Sequence, residues 1–113
     1  MDKTSLIKGH LEMCVLSILS QGKSYGYEIM KELDKHNLTL KGVGSIYPIL
    51  TKLKDQEWVN TYREMTDSGK VRVYYEINEQ GELYLEKKID EWLELQSDIK
   101  LLLQSGTKGD RVE

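Results

Sequence analysis

The feature that most restricts the fold of this sequence is a long apolar seam near its C-terminal end. Its members follow one another at alternating steps of four and three residues: Leu85, Ile89, Trp92, Gln96, Ile99 and Leu103. This spacing is typical of a coiled coil and predicts a helix of about 25 residues, roughly 37 Å long. A chain of 113 residues forms one domain of ordinary size, which cannot cover such a surface. We therefore predict that the seam is buried against a second copy of the chain, with polar Gln96 setting the register.

Composition excludes several classes of protein. No apolar run approaches the ~20 residues that span a bilayer. The single cysteine, Cys14, cannot form an internal disulfide, and neither it nor His10 and His36 have partners at zinc-ligand spacing. The first residues lack the charged-then-apolar layout of a secretory signal, so we expect a cytoplasmic protein. With no phosphate loop, nucleophile–base pair or metal set in the sequence, we expect neither an enzyme nor a cofactor.

Charge is distributed unevenly along the chain. Residues 1–77 carry 11 basic and 10 acidic side chains, whereas residues 78–113 carry 5 and 9. The segment 41–72 holds six basic side chains against four acidic ones. A modestly basic middle in a chain of net charge −3 indicates an anionic partner for that part of the molecule.

The first half of the chain predicts three helices. Apolar residues recur at three- and four-residue steps over 5–20, and again over 25–36, where Ser24 is the predicted N-cap. Alternation over Leu38–Leu40 predicts a short strand, and a third helical pattern covers 44–56.

The third predicted helix has one apolar stripe and one polar face. Pro48 must lie in its first turn, because a proline further inside would remove a hydrogen bond and clash with the preceding turn. The exposed face therefore begins near the helix N-terminus, where unpaired N–H groups favour anions. This face collects the following residues: Ser45, Tyr47, Pro48, Thr51, Lys52 and Asp55.

Two alternating stretches, 59–65 and 71–77, flank a turn rich in polar residues and predict a β-hairpin. Lys70 lies at its tip and Arg72 on its outward face. The order helix, helix, strand, helix, hairpin, long helix is the layout of a winged helix-turn-helix. We thus predict an α+β, mainly α fold. Its parts are a DNA-binding unit over 1–77, a dimerisation helix over 78–105 and a flexible tail over 106–113.

Three stretches of the sequence resemble the signature motifs of PadR-family transcriptional regulators. They are Ser24–Ile29, Gly44–Leu53 and Gly69–Gly81, and the similarity extends over roughly residues 6–103. The short C-terminal part is similar to the small-PadR subgroup, which has a single terminal helix. The resemblance implies a dimeric repressor that binds an inverted-repeat operator in double-stranded DNA. One departure is the hairpin tip, which lacks the proline and part of the positive charge found in many members.

The resemblance and the polar face together predict which residues contact DNA through phosphates or base edges. They are Tyr25, Lys41, Ser45, Tyr47, Pro48, Thr51, Lys52, Lys70 and Arg72. The alternative for these side chains is an ordinary solvated surface, and for Tyr25 partial burial beneath the second helix.

The resemblance also suggests an effector site at the dimer centre. Trp92 stands where some small PadR members use a tryptophan from each terminal helix to clamp a flat aromatic ligand. The residues expected to line that cavity are Leu6, His10, Met13, Trp92 and Gln96. The alternative is that Trp92 only packs in the seam, since a buried tryptophan covers a large area.

A second functional hypothesis treats the chain as a winged-helix module that binds another protein and no operator. Its main support is the acidic total charge. The salt dependence of DNA binding separates the two hypotheses, because each phosphate contact releases counterions.

Overall fold

The structure is a computed structural model that describes residues 3–41 and 43–107. It is a winged helix-turn-helix followed by one long helix. The elements in chain order are α1 (Thr4–Ile7), a 3₁₀ turn (Lys8–His10), α2 (Leu11–Leu19), β1 (Ser24–Tyr25), α3 (Gly26–Lys35), a second 3₁₀ turn (Val43–Ser45), α4 (Ile46–Asp55), β2 (Val59–Met65), β3 (Val71–Ile77) and α5 (Glu79–Thr107).

The core lies where α2, α3 and α4 pack together. Each helix turns its apolar stripe inward, so the fully buried side chains come from all three. These are Val15, Leu16, Leu19, Ile29, Leu33, Ile46, Leu50 and Leu53. Val59 of β2 and Leu85 of α5 join the same cluster, which ties the hairpin and the long helix to the three-helix core.

The sheet has three antiparallel strands in the order β1-β3-β2. β2 and β3 pair in full register from Val59 opposite Ile77 to Met65 opposite Val71, as the alternation predicted. The turn between them is closed by the Thr66 N–H, which donates to the Lys70 carbonyl at 2.7 Å. Gly69 has a φ of +85°, a conformation that glycine adopts without the cost that a Cβ would bring.

Three local predictions are wrong. The helix expected over 5–20 is interrupted at Lys8–His10, where Gly9 weakens the helix and His10 leaves the helical region at φ −122°. Ser24 is not a helix cap: it lies in β1 opposite Tyr75, and Tyr25 precedes α3 in an extended conformation.

The short strand expected at Leu38–Leu40 is not formed. The Leu38 N–H already donates to the Leu33 carbonyl as α3 ends, and the free edge of β3 is occupied by β1. Leu40 is nevertheless buried in the core. The alternation of this segment therefore reflects packing of an irregular connection rather than strand pairing.

The junction between the hairpin and α5 is held by several hydrogen bonds. Asn78 caps the helix: its side-chain oxygen accepts the Gly81 N–H at 2.9 Å, and its side-chain nitrogen donates to the Glu57 carbonyl at 2.8 Å. Trp58 stacks on Tyr84 with ring centroids 3.7 Å apart. α5 extends to Thr107, beyond the predicted end at 105. Across residues 3–41 and 43–107, none of the helices combines the length and apolar character needed to cross a bilayer.

Candidate nucleic-acid interface

The polar face of α4 is exposed, as its pattern predicted. Ile46, Leu50 and Leu53 bury the opposite face, which fixes the orientation of the helix against the core. Pro48 lies in the first turn of α4, where its missing N–H costs no helical hydrogen bond. Pro48 and Thr51 are both exposed, so solvent reaches the middle of this face directly.

Tyr47 connects α4 to α3. Its side chain is 54% exposed, yet its ring lies against Gly26, where an added Cβ would stand 3.6 Å from the Tyr47 Cε1 atom. Gly26 is the first residue of α3 and follows Tyr25 directly. The exposed ring of Tyr47 thus borders the part of the fold from which the hairpin projects.

Arg72 and Tyr25 join that surface to the hairpin. The Arg72 guanidinium lies 4.5 Å from the centre of the Tyr25 ring, and Tyr25 meets Tyr74 edge-on with centroids 5.3 Å apart. Tyr25 is therefore half-buried, although its position beside Arg72 keeps it at the predicted surface. Lys70 is exposed at the hairpin tip. Together α4, β1 and the hairpin form a continuous surface.

Two predicted residues lie at the edge of α4. The Ser45 hydroxyl donates to the Lys41 carbonyl at 2.7 Å, which fixes the chain as it enters the helix. Ser45 is half-buried and Lys41 is exposed. The hydroxyl of Ser45 is thus engaged locally, and Lys41 lies beside the start of the polar face.

Lys52 has a partner that the sequence analysis missed. Its ammonium lies 2.5 Å from a carboxylate oxygen of Glu12, which comes from α2. The other carboxylate oxygen of Glu12 accepts the Tyr84 hydroxyl at 3.0 Å. Burial, together with this hydrogen bond to Glu12, raises the pKa of Tyr84 to about 12, so the phenol is protonated at neutral pH and serves as donor. No local pattern singles out Glu12, because its partners are distant in the sequence.

The predicted effector residues are only partly brought together. His10, Trp92 and Gln96 line one open groove of about 450 Å³ along α5. Met13 lines a neighbouring groove of about 260 Å³ that also contains Trp92, and a third groove of about 500 Å³ brings Met13 together with His10 and Trp92. Leu6 is 66% exposed and lines none of the three grooves. In the single chain the grooves are open to solvent along α5.

The predicted seam on α5 divides into two parts. Leu85 is buried and Ile89 packs against the core, whereas the members beyond them are exposed. The exposed fractions are 37% for Trp92, 45% for Ile99 and 59% for Leu103. Gln96 is exposed between them. The first two seam residues therefore attach α5 to its own domain, whereas Trp92 and Ile99 are exposed in one chain.

The described residues offer little for metal or thiol chemistry. Within 3–41 and 43–107, no three His, Cys, Asp or Glu side chains are grouped closely enough to hold a metal ion. Cys14 is half-buried against the core, and burial raises the pKa of its thiol. A raised pKa leaves the thiol protonated and unreactive.

Comparison with known proteins agrees with this architecture. The sequence profile of the transcriptional regulator PadR-like family matches residues 15–87. A PadR-like transcriptional regulator from Bacillus cereus is 35% identical, with a TM-score of 0.77 over 88% of this chain and 97% of that one. A PadR family regulator from Eggerthella lenta is 29% identical, with a TM-score of 0.80 over 88% and 86%.

A third structure is similar in fold alone. Bacillus subtilis PadR, solved in complex with operator DNA, is 21% identical, with a TM-score of 0.65 over 71% of this chain and 46% of that one. The family profile covers well over half of the sequence, and the matched range includes α3, α4 and the hairpin. The chain therefore belongs to the PadR-like family of transcriptional regulators.

Proposed function

We propose that the protein is a dimeric, sequence-specific DNA-binding repressor that acts in the cytoplasm on an inverted-repeat operator. The observation that carries this proposal is the continuous surface formed by α4, β1 and the hairpin. An α-helix fits the major groove, and a hairpin beside it reaches the phosphate backbone or minor groove. Bacillus subtilis PadR, a fold relative, binds operator DNA in its crystal structure, which supports the same use of the surface here.

Within this interface we assign different contacts to the two parts. Tyr47, Pro48 and Thr51 lie where α4 would face base edges, and Lys70 and Arg72 lie where the hairpin would face phosphates. Tyr25, Lys41 and Ser45 border the two parts, and Lys52 is the cation on the α2 side of α4. The cations position the protein on the duplex, whereas the α4 face selects the sequence.

The exposed half of the α5 seam supports the dimer. Apolar side chains of this size seldom form a long exposed stripe unless a partner covers them. Pairing α5 with its copy around a two-fold axis would cover the stripe and present two copies of α4. Such a dimer matches half-sites one or two helical turns apart, which is the geometry of an inverted repeat.

Selection from a random duplex pool, followed by a binding titration over a range of salt, tests the proposal. We expect an enriched inverted repeat. If about four cations per protomer contact phosphate, log K should fall against log salt with a slope near −7. A pool without enrichment, together with a slope shallower than about −2, would contradict operator binding.

That outcome would favour the second candidate, a winged-helix module that binds another protein. The observation in its favour is the net charge of −3, because a chain with excess negative charge is repelled by DNA at long range. The repressor hypothesis is preferred because the cations lie around α4 and the hairpin, whereas the acidic excess lies beyond residue 77.

A small aromatic effector is the proposed signal for release from the operator. In the dimer, two copies of Trp92 would approach each other beside the α5 groove, and flat rings stack well on indole. A planar aromatic dye should quench the tryptophan fluorescence of the wild type and not that of Trp92→Ala. Quenching that persists in the variant would assign it to Trp58, which stacks on Tyr84 away from this groove.

A further inference from the structure

Lys52 differs from the hairpin cations Lys70 and Arg72 in having a carboxylate as its ion-pair partner among the described residues. Lys70 lies at the exposed hairpin tip, and Arg72 lies on the face of the Tyr25 ring. The Lys52 ammonium contacts the Glu12 carboxylate directly, which makes the pair neutral as a unit. A neutral pair attracts phosphate much less than a bare ammonium does.

Glu12, which lies on α2, is also held in place by a residue of α5. Its side chain is only 22% exposed, and the Tyr84 hydroxyl of α5 donates to its second oxygen. Tyr84 cannot move freely, because its ring is stacked on Trp58. The carboxylate therefore has a fixed position, whereas the Lys52 side chain is 53% exposed and can swing away from it.

Because Lys52 lies on α4, a movement of its side chain away from Glu12 affects the proposed contact with DNA. Tyr47 lies on the flank of α4 that faces α3, and Lys52 lies on the flank that faces α2. An ammonium at the edge of the exposed face can contact either the carboxylate behind it or a phosphate in front of it. The two anions compete for the same cation.

We propose that Glu12 is a positioning residue that holds the Lys52 ammonium in the free protein. A phosphate of the duplex can then contact Lys52 only if the Glu12–Lys52 ion pair breaks. This inference rests on the proposed DNA binding. It means that Glu12 lowers the affinity for every duplex, through Lys52. Since Tyr84 fixes Glu12 from α5, the restraint also depends on where the long helix lies.

The test is a double-mutant cycle on duplex affinity across salt. Glu12→Gln keeps the side-chain shape and an oxygen that can accept the Tyr84 hydroxyl, but it removes the charge that holds Lys52. The probes are a fluorescein-labelled duplex carrying the selected repeat and a mixed-sequence duplex of the same length. Glu32→Gln is the matched control, because it removes one negative charge from a partly exposed carboxylate paired with Lys35 on α3.

We expect Glu12→Gln to bind both duplexes about 1.5- to 5-fold more tightly at low salt, the range that an exposed ion pair is worth. The salt slope should become steeper, since rising salt screens the ion pair that opposes binding in the wild type and this compensation is lost in the variant. Both changes should vanish when Lys52→Ala is added, and Glu32→Gln should give neither. Glu12→Ala, a second variant that also removes the oxygen, should give the same steeper slope.

Three results would overturn the inference while the wild type still binds the repeat. They are unchanged or weaker binding by both Glu12 variants, a gain that persists in the Lys52→Ala background, or an equal gain in Glu32→Gln. A purely structural role for Glu12 would lower the unfolding midpoint without a Lys52-dependent change in salt slope. A wild-type protein that binds neither duplex would instead refute the proposed function, and this inference with it.

Discussion

Gly81 provides a sharp test of how α5 is joined to the winged unit, because helix propensity and the structure predict opposite results for Gly81→Ala. Alanine is a better helix former than glycine by up to about 1 kcal/mol, so propensity alone predicts stabilisation. In the structure, however, a Cβ at this position would lie 2.8 Å from the Ile77 Cγ1 atom and closer still to the Trp58 carbonyl oxygen. Backbone cannot rotate away as a flexible side chain can, so the chain itself must shift.

The cost follows from what the shift disturbs. Overpacking of a well-packed site typically costs about 1–3 kcal/mol. The Trp58 carbonyl also accepts the Asn78 N–H at 3.1 Å, and loss of that bond adds about 1 kcal/mol. After the gain in helix propensity is subtracted, we expect Gly81→Ala to lower the free energy of unfolding by about 1–3 kcal/mol.

Urea unfolding monitored by circular dichroism measures this difference. With a slope of about 2 kcal/mol per molar urea, a loss of ~2 kcal/mol lowers the midpoint by about 1 M. Protein concentration must be held constant, because the proposed dimerisation would couple to stability. Gly106→Ala is the control, since nothing lies within 4 Å of a Cβ there, and it should be neutral or slightly stabilising. If Gly81→Ala unfolds at the same or higher urea concentration than the wild type, the reasoning from the contact is wrong.

Three further predictions concern the proposed dimer, the proposed phosphate contacts and the Tyr84 phenol. Ile99→Asp should give monomers in light scattering, because it places a charge on the proposed α5 interface. Ile99 is a better test than Ile89, since Ile99 is exposed in the groove whereas Ile89 also packs on the core. An unchanged dimer mass would contradict the α5 interface. Lys70→Ala should make the salt slope of DNA binding shallower by about 0.9 per protomer, and a slope equal to the wild type would remove Lys70 from the phosphate contacts. Tyrosine absorbance should show a phenol ionising near pH 12 that is missing in Tyr84→Phe. Since the pKa of Tyr84 in the folded protein lies above the ordinary value near 10, the Tyr84 contribution to stability is intact below pH 10 and is lost as pH rises toward 12. A wild-type titration identical to that of Tyr84→Phe would refute the raised pKa.

Local patterns were sufficient for the elements that depend on neighbouring residues. The two strands of the hairpin and the position of Pro48 in the first turn of α4 both follow from short-range chemistry, and both were predicted correctly. Alternation predicted a strand at Leu38–Leu40 for the same reason and failed, because a strand also needs a free edge to pair with. The strand that does occupy this edge, β1, has only two residues, too few for any periodicity.

The sequence thus specifies which residues face inward and where the chain turns, because side-chain periodicity and turn chemistry act over a few residues. It does not specify which polar groups meet across the fold. The ion pair of Lys52 with Glu12, the stack of Trp58 on Tyr84 and the close approach of Gly81 to the hairpin each join residues from different elements. Such contacts depend on the angles and distances at which helices pack, and these are fixed by the core as a whole. For that reason the proposed restraint on Lys52 became visible in three dimensions, whereas the exposed face of α4 could already be recognised from its pattern.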